Sequence, residues 1–437
     1  MSNILDQPRY VCALGASQTV QVIERAVPIL HAGPGCGTKL AAALATSNGG
    51  QSSGYISPQI YPSTNISEKE VIFGGEDKLK ETIENSLKVL DADFFVVLSG
   101  CVTEIVGDDV REVVRGFKGS KKPVIYAETA GFKGNNIMGH ELVVQAIIEQ
   151  YLKPAPVIEK LVNIWATVPV YDPFWYGNLK QLGILLSEIG LIPNVIFGPG
   201  NGVKALDKIP RATFNLLVSP WVGLKNIKTL EEKFGTPYLH YPVLPIGAYE
   251  TGEFLRTVGK FAGVDPNLIE SVIKKHEDEF YYFIERIADI LLETREVGRR
   301  FVIIADSNYA LAASRFLVND MGLFPSKLYI VEDTPEEYQD LVREQFKNYK
   351  YGISAEAEFT TDGGKIHEEL RNTHFPGRPI VLGSNWDKTI AKELNGHYVG
   401  ISMPVTERLI LDRSYVGYQG GLRLLEDIYS VVLEYAI

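Results

Sequence analysis

The chain has 437 residues, 45% of them hydrophobic, with 3 cysteines and a formal net charge of −11. That length is past the point where one hydrophobic core stops growing, so two or three domains are expected, and an odd cysteine count excludes a complete intrachain set of disulfides and points to the reducing cytoplasm. The acidic balance, with no basic stretch beyond the short piece Lys118 to Lys122, argues against nucleic acid; the opening Met1 to Tyr10 lacks the basic and apolar regions of a signal peptide, and no apolar run is long enough for a membrane span.

In chain order, the first landmark is Cys12, which follows Arg9-Tyr10-Val11 and opens a predicted helix. The apolar run Val27 to Leu30 leads into His31-Ala32-Gly33-Pro34-Gly35-Cys36-Gly37, and Phe94 to Leu98 leads into Ser99-Gly100-Cys101. A helical pattern over Glu104 to Arg115 and the run Pro123 to Tyr126 complete a βαβ rhythm. Pro154-Ala155-Pro156 marks a boundary. The rhythm resumes at Asn194 to Phe197 before Gly198-Pro199-Gly200, and at Phe214 to Val218 before Ser219-Pro220-Trp221. A long helical pattern over 285–300 runs into Arg299-Arg300, and further runs follow at Phe301 to Ala305 and Lys327 to Val331. The expectation is an α/β chain of three Rossmann-like domains with parallel sheets flanked by helices, spanning 1–160, 161–295 and 296–437, with functional groups outside the carboxyl ends of the strands.

All three cysteines fall at predicted turns into helices of the first domain, where helix N-termini favour a thiolate, and none occurs after Cys101. Glycines on both sides of Cys36 allow a bulky ligand to approach the backbone. Free cysteines often pack simply as small hydrophobes, but three at corresponding turns weaken that reading. A zinc site with His31 as fourth ligand is a rival, although structural zinc usually draws on closely spaced cysteine pairs and these are far apart. Iron–sulfur clusters accept widely spaced thiolates, and a cubane takes four; three imply that a partner chain completes the set.

These residues resemble the component 1 proteins of nitrogenase and its relatives, beta-type subunit, over essentially the whole chain. The resemblance rests on Cys12-Ala13-Leu14-Gly15, His31 to Cys36, Phe73-Gly74-Gly75-Glu76, Cys101 to Asp109, and Glu128-Thr129-Ala130-Gly131-Phe132. It continues through Leu217 to Trp221, Pro245-Ile246-Gly247, Gly383-Ser384-Asn385-Trp386 and Tyr415 to Leu422. It implies that Cys12, Cys36 and Cys101 are this chain's share of an iron–sulfur cluster, an [8Fe-7S] P-cluster or alternatively a single [4Fe-4S] cluster, held with an alpha-type catalytic subunit in an α2β2 heterotetramer. It also implies electron delivery by an ATP-hydrolysing [4Fe-4S] iron protein, with the substrate-reducing cofactor in the sister chain. The position where some beta subunits carry a redox-linked serine ligand corresponds to Gly131, so no such ligand is expected. The substrates implied are dinitrogen, by an alternative nitrogenase, or C–S bonds, as in methylthio-alkane reductases; the short stretch before Cys12 tilts away from the molybdenum type. Rival readings within the family are a tetrapyrrole-reductase-like subunit and a cofactor-assembly scaffold.

Other features have plainer readings. Gly33 to Lys39 fails the glycine-to-lysine spacing of a phosphate-binding loop, with Leu40 at its hydroxyl position. Gly198 to Gly202 reads as a tight βα connection. Glu104, Asp108 and Asp109 read as an exposed acidic run favourable to a helix dipole, with proton gating near a cluster as the functional alternative. His367, His374 and His397 read as surface or hydrogen-bonded core groups rather than metal ligands.

Overall fold

The computed structural model describes residues 5–45, 47–50, 61–200, 202–294 and 298–434. Three sheets occupy successive stretches of chain, and every pairing within them is parallel. The first contains β1 (Ala26–His31), β2 (Phe94–Ser99) and β3 (Val124–Glu128), in that order. The second contains β4 (Leu161–Trp165), β5 (Ile192–Val195), β6 (Phe214–Val218) and β7 (Tyr238–Tyr241), ordered β5-β4-β6-β7. The third contains β8 (Arg300–Ala305), β9 (Phe324–Ile330), β10 (Ala357–Phe359), β11 (Ile380–Gly383) and β12 (His397–Gly400), ordered β10-β9-β8-β11-β12. The central strands β2, β4, β6 and β11 are buried along their whole length, which is why they read as mostly apolar runs rather than alternating ones; β4 and β6 each carry one buried asparagine, Asn163 donating to Asn215 Oδ1 (2.9 Å).

Two predicted elements differ in detail. The helical pattern over Glu104 to Arg115 is two helices, Cys101–Val106 and Val110–Arg115, because Gly107 turns left-handed (φ 88°) and Asp109 caps the second by accepting from the Glu112 N–H. The long helix Pro266–Thr294 ends before Arg300, which instead opens β8.

The ends of the chain bind the units together. The last helix, Gly417–Glu434, returns to pack on Gly247–Ala262 and Pro266–Thr294. There the Gly417 N–H donates to the Pro245 carbonyl (2.8 Å), and a Cβ on Gly421 would sit 2.7 Å from the Gly247 Cα. At the other end, residues 5–9 lie against the third sheet's unit, with Asp6 bridging Asp362.

Strand order reverses between β4 and β6 and between β8 and β11, the places where doubly wound sheets usually bind ligands. Here loops from both points meet and fill the space. Asp172, Asp306, Glu332, Tyr171 and Tyr309 converge on a cavity of about 30 Å³, room for about one water. Trp221 Nε1 donates to Glu332 (2.8 Å), and Tyr309 donates to Asp172 (2.9 Å). Burial pushes the Asp172 and Glu332 carboxyls up to about 7 and raises Asp306 as well. Carboxyls raised in this way bind more protons folded than unfolded, so their contribution to stability falls as pH rises from the ordinary carboxylate range through about 7. Asp306→Asn removes one charge, while the Ser402 hydroxyl that now donates to it (2.9 Å) can turn to accept. The melting temperature of this variant relative to the parent should therefore climb between about pH 5 and about pH 8; a pH-independent difference would contradict this account.

Candidate metal centre

The carboxyl ends of the first sheet are different: they carry sulfur. After β1 the chain turns through Gly33 into the helix Pro34–Ala45, with proline at its first position and Cys36 in its first turn. After β2, Gly100 precedes Cys101, the first residue of the helix Cys101–Val106. After β3 comes Gly131, in a short 3-10 turn. Cys12 caps another 3-10 turn, Ala13–Ala16, and pairs in antiparallel fashion with Asn135 just beyond Gly131.

Gly131 is the meeting point. Its N–H donates to the Cys101 Sγ at 3.0 Å. A Cβ there would stand 3.1 Å from that sulfur, 3.1 Å from the Cys12 Cβ and 3.6 Å from the Cys12 Sγ. No side chain fits between the two sulfurs without moving them, so glycine leaves a cradle bounded by Cys12 and Cys101. Cys36 belongs to the same group electrostatically: burial pushes its thiol up, and the charges of Cys12 and Cys101 push it up further. Helix N-termini alone would favour a thiolate, as expected from the sequence; burial and mutual repulsion outweigh them at Cys36. Neighbouring thiolates repel one another, and a bound positive charge would offset that repulsion.

His31 takes no part as a ligand. Its ring is buried, with Nε2 2.9 Å from Asp108 and Nδ1 3.2 Å from the Thr64 hydroxyl. Burial lowers its pKa despite the neighbouring Asp108 carboxylate, and the ring, held at both nitrogens, braces the β1 end. The zinc reading with His31 as fourth ligand is thereby corrected, and no group of three or more His, Cys, Asp or Glu among the described residues is arranged to hold a single metal ion.

The acidic run is less exposed than the sequence implied. Asp108 is buried against His31 and accepts from the Gly75 N–H (2.8 Å); a Cβ on Gly75 would strike that carboxylate at 2.7 Å, which accounts for the glycine. Glu104 accepts from Ser99 (2.6 Å) and the Ala130 N–H (3.1 Å) and pairs with Lys133 (2.7 Å), bracing the turn that carries Gly131. Asp109 is the helix cap already described. Among the histidines, His367 lies 3.3 Å from Gln7, His374 is exposed and His397 is buried on β12. The glycine turn after β5 is a packed connection, its Gly198 N–H donating to the Val22 carbonyl (2.9 Å); Asn201 lies outside the described residues.

The surface beside the sulfurs is apolar. Cys12 and Cys101 are both exposed; Val102 follows Cys101, Ile105 (75% exposed) lies one helical turn further on, and Phe132 (62%) follows Gly131. The helix Glu68–Phe73, which packs on Cys101–Val106, adds Ile72 (72%) and Phe73 (80%).

The family model for nitrogenase component 1 type oxidoreductases matches residues 12–433, and the chain belongs to that family, on the beta side. It is 23% identical to the nitrogenase molybdenum-iron protein beta chain of Azotobacter vinelandii, over 97% of this chain and 82% of that one. It is 24% identical to a subunit of the light-independent protochlorophyllide reductase of Angiopteris evecta, over 82% of this chain and 70% of that one. Among solved structures, a chain titled nitrogenase Cp1 at pH 6.5 superposes with a TM-score of 0.80 and 20% identity, covering 100% of this chain and 96% of the other. No helix among the described residues is long and apolar enough to cross a membrane.

Proposed function

We propose that this chain is the electron-relaying, beta-type subunit of a nitrogenase-like reductase, with Cys12, Cys36 and Cys101 as its share of an iron–sulfur cluster of the [8Fe-7S] P-cluster type. The observation that carries the reading is the convergence of Cys12 and Cys101 on the Gly131 cradle at an exposed apolar face, with Cys36 near enough for their charges to act on its thiol. When bound, the cluster would supply one-electron storage and transfer between an ATP-hydrolysing iron protein and a catalytic cofactor in an alpha-type partner. Cys12, Cys36 and Cys101 would bind iron, and the Gly131 N–H would donate to the Cys101 sulfur, tuning the potential. Ile72, Phe73, Ile105 and Phe132 present the apolar surface that a partner subunit would cover, excluding water from the sulfurs. The tightly filled junction between the second and third sheets supports placing the catalytic cofactor in the partner chain.

The complex would reduce a small molecule, dinitrogen or a C–S bond. A second reading, a tetrapyrrole-reducing subunit with a single [4Fe-4S] cluster, is favoured by the similarity to a protochlorophyllide reductase. Mössbauer spectra and iron counts on the anaerobically purified heteromer separate the two: eight iron atoms shared at the subunit junction support the first, four support the second, and an iron-free complex removes both.

A further inference from the structure

Cys36 and Cys101 follow adjacent strands of the first sheet, whereas Cys12 sits on a segment with no strand of its own. That segment is suspended between two units of the fold. On its N-terminal side, Arg9 reaches into the third unit, with Nη2 2.7 Å from Asp387 Oδ1 and Nη1 2.9 Å from Asp387 Oδ2. The same guanidinium donates to Ser384 (2.7 Å) and Gln7 (2.9 Å), and both members of the ion pair are buried. Trp386 Nε1 donates to the Pro8 carbonyl (3.0 Å). On its C-terminal side, the Val11 N–H donates to Asn136 Oδ1 (3.0 Å), the Asn136 N–H donates to the Val11 carbonyl (2.8 Å), and the Ala13 N–H donates to the Gly134 carbonyl (2.9 Å). Asn135 itself is tied to the third unit, donating from Nδ2 to the Glu332 carbonyl (2.8 Å).

We propose that Arg9 and Asp387 are positioning residues for the Cys12 sulfur, through which the C-terminal sheet sets the distance of Cys12 from Cys36 and Cys101. This inference rests on the three-thiolate reading above. A bidentate guanidinium–carboxylate fork is directional, and burying it at a chain segment three residues from a ligand fixes that segment in register as well as in place. A small rotation of the third unit relative to the first would act on the Cys12 segment directly, through the fork. Cluster potential depends on ligand geometry and the surrounding hydrogen bonds, so the fork would control potential without touching iron.

The test uses the anaerobically purified heteromer carrying Arg9→Lys, which keeps the charge opposite Asp387 but loses the fork, and Trp386→Phe, which removes the indole hydrogen bond to Pro8 together with one ring. Iron per heterodimer, the midpoint potential and the EPR line shape of the cluster are read alongside the melting temperature. Arg315→Lys, at the buried Arg315–Glu250 pair whose guanidinium also bonds Gln345, serves as the control for simple destabilisation. The expected result is a shifted potential and altered line shape in Arg9→Lys, or loss of iron from a folded complex, with a smaller shift in Trp386→Phe and none in Arg315→Lys. If Arg9→Lys does not accumulate, Trp386→Phe alone decides. An unchanged potential and line shape with only a lower melting temperature would overturn the inference and leave the ligand assignment standing; an iron-free parent complex would instead overturn the ligand assignment itself.

Discussion

Replacing Cys101 by alanine is expected to strip iron from the purified complex and abolish its reductase activity, while the chain remains folded. Cys101 is exposed, so its side chain contributes little to the core, and its loss leaves no cavity of the kind that destabilises an interior. Its sulfur receives the Gly131 N–H and borders the same cradle as Cys12, so removing it takes away a central donor of the set. Far-UV circular dichroism and the melting temperature should stay close to the parent values while iron per heterodimer collapses. Parent-level iron in Cys101→Ala would remove Cys101 from the ligand set.

The second large effect is expected at Gly139→Ala, a change that by helix propensity alone should gain about 1 kcal/mol. Gly139 lies inside the helix Asn136–Ala146, directly against the turn that Cys12 caps. An added Cβ would stand 2.1 Å from the Ala13 carbonyl oxygen and 2.9 Å from its carbon. Backbone atoms cannot rotate away from such a contact, so either the helix or the Cys12 turn must shift. Overpacking of this kind costs about 1–3 kcal/mol, and we expect the upper end, more than the propensity gain. Because the displaced atoms belong to the residue after Cys12, iron content should fall along with the denaturation midpoint. A variant as stable as the parent and equally rich in iron would show that the turn is not held where the packing implies.

Much of this arrangement was legible in the sequence because parallel strands buried on both faces announce themselves as largely apolar runs, and because most of those runs end in glycine, serine or aspartate. The segments that carried the family resemblance prove to have local structural tasks. Phe73 to Glu76 places Gly75 under Asp108, Glu128 to Phe132 supplies the Gly131 cradle, and Pro245 to Gly247 meets Tyr415 to Leu422 at a contact too close for a side chain at Gly421. Leu217 to Trp221 delivers the indole that bonds Glu332, and Gly383 to Trp386 delivers Ser384 and Trp386 to the segment before Cys12.

What periodicity could not reveal is long-range pairing between polar groups. Arg9 and Asp387 lie at opposite ends of the chain, and neither has a neighbour in sequence that marks it as buried. Asp172 and Glu332 likewise read as ordinary loop carboxylates; only the meeting of two strand-order reversals takes them out of water. Asp306 had a partial signal, standing just after β8 at the start of a helix, but a capping aspartate is normally exposed and this one is not. The split of the predicted helix at Gly107 was likewise written in the chain, as a glycine followed by two aspartates, and was hidden by the apolar spacing on either side.

The central claim is that these sulfurs form a donor set that a second polypeptide must complete. Anaerobic reconstitution with iron and sulfide tests it most directly, performed on this chain alone and on this chain together with its alpha-type partner. We predict that the visible absorption of a cluster and stoichiometric iron appear only when both chains are present, and that both are lost in Cys12→Ala, Cys36→Ala and Cys101→Ala alike. A full, stable cluster on the isolated chain, or iron in the heteromer that is indifferent to all three substitutions, would contradict it.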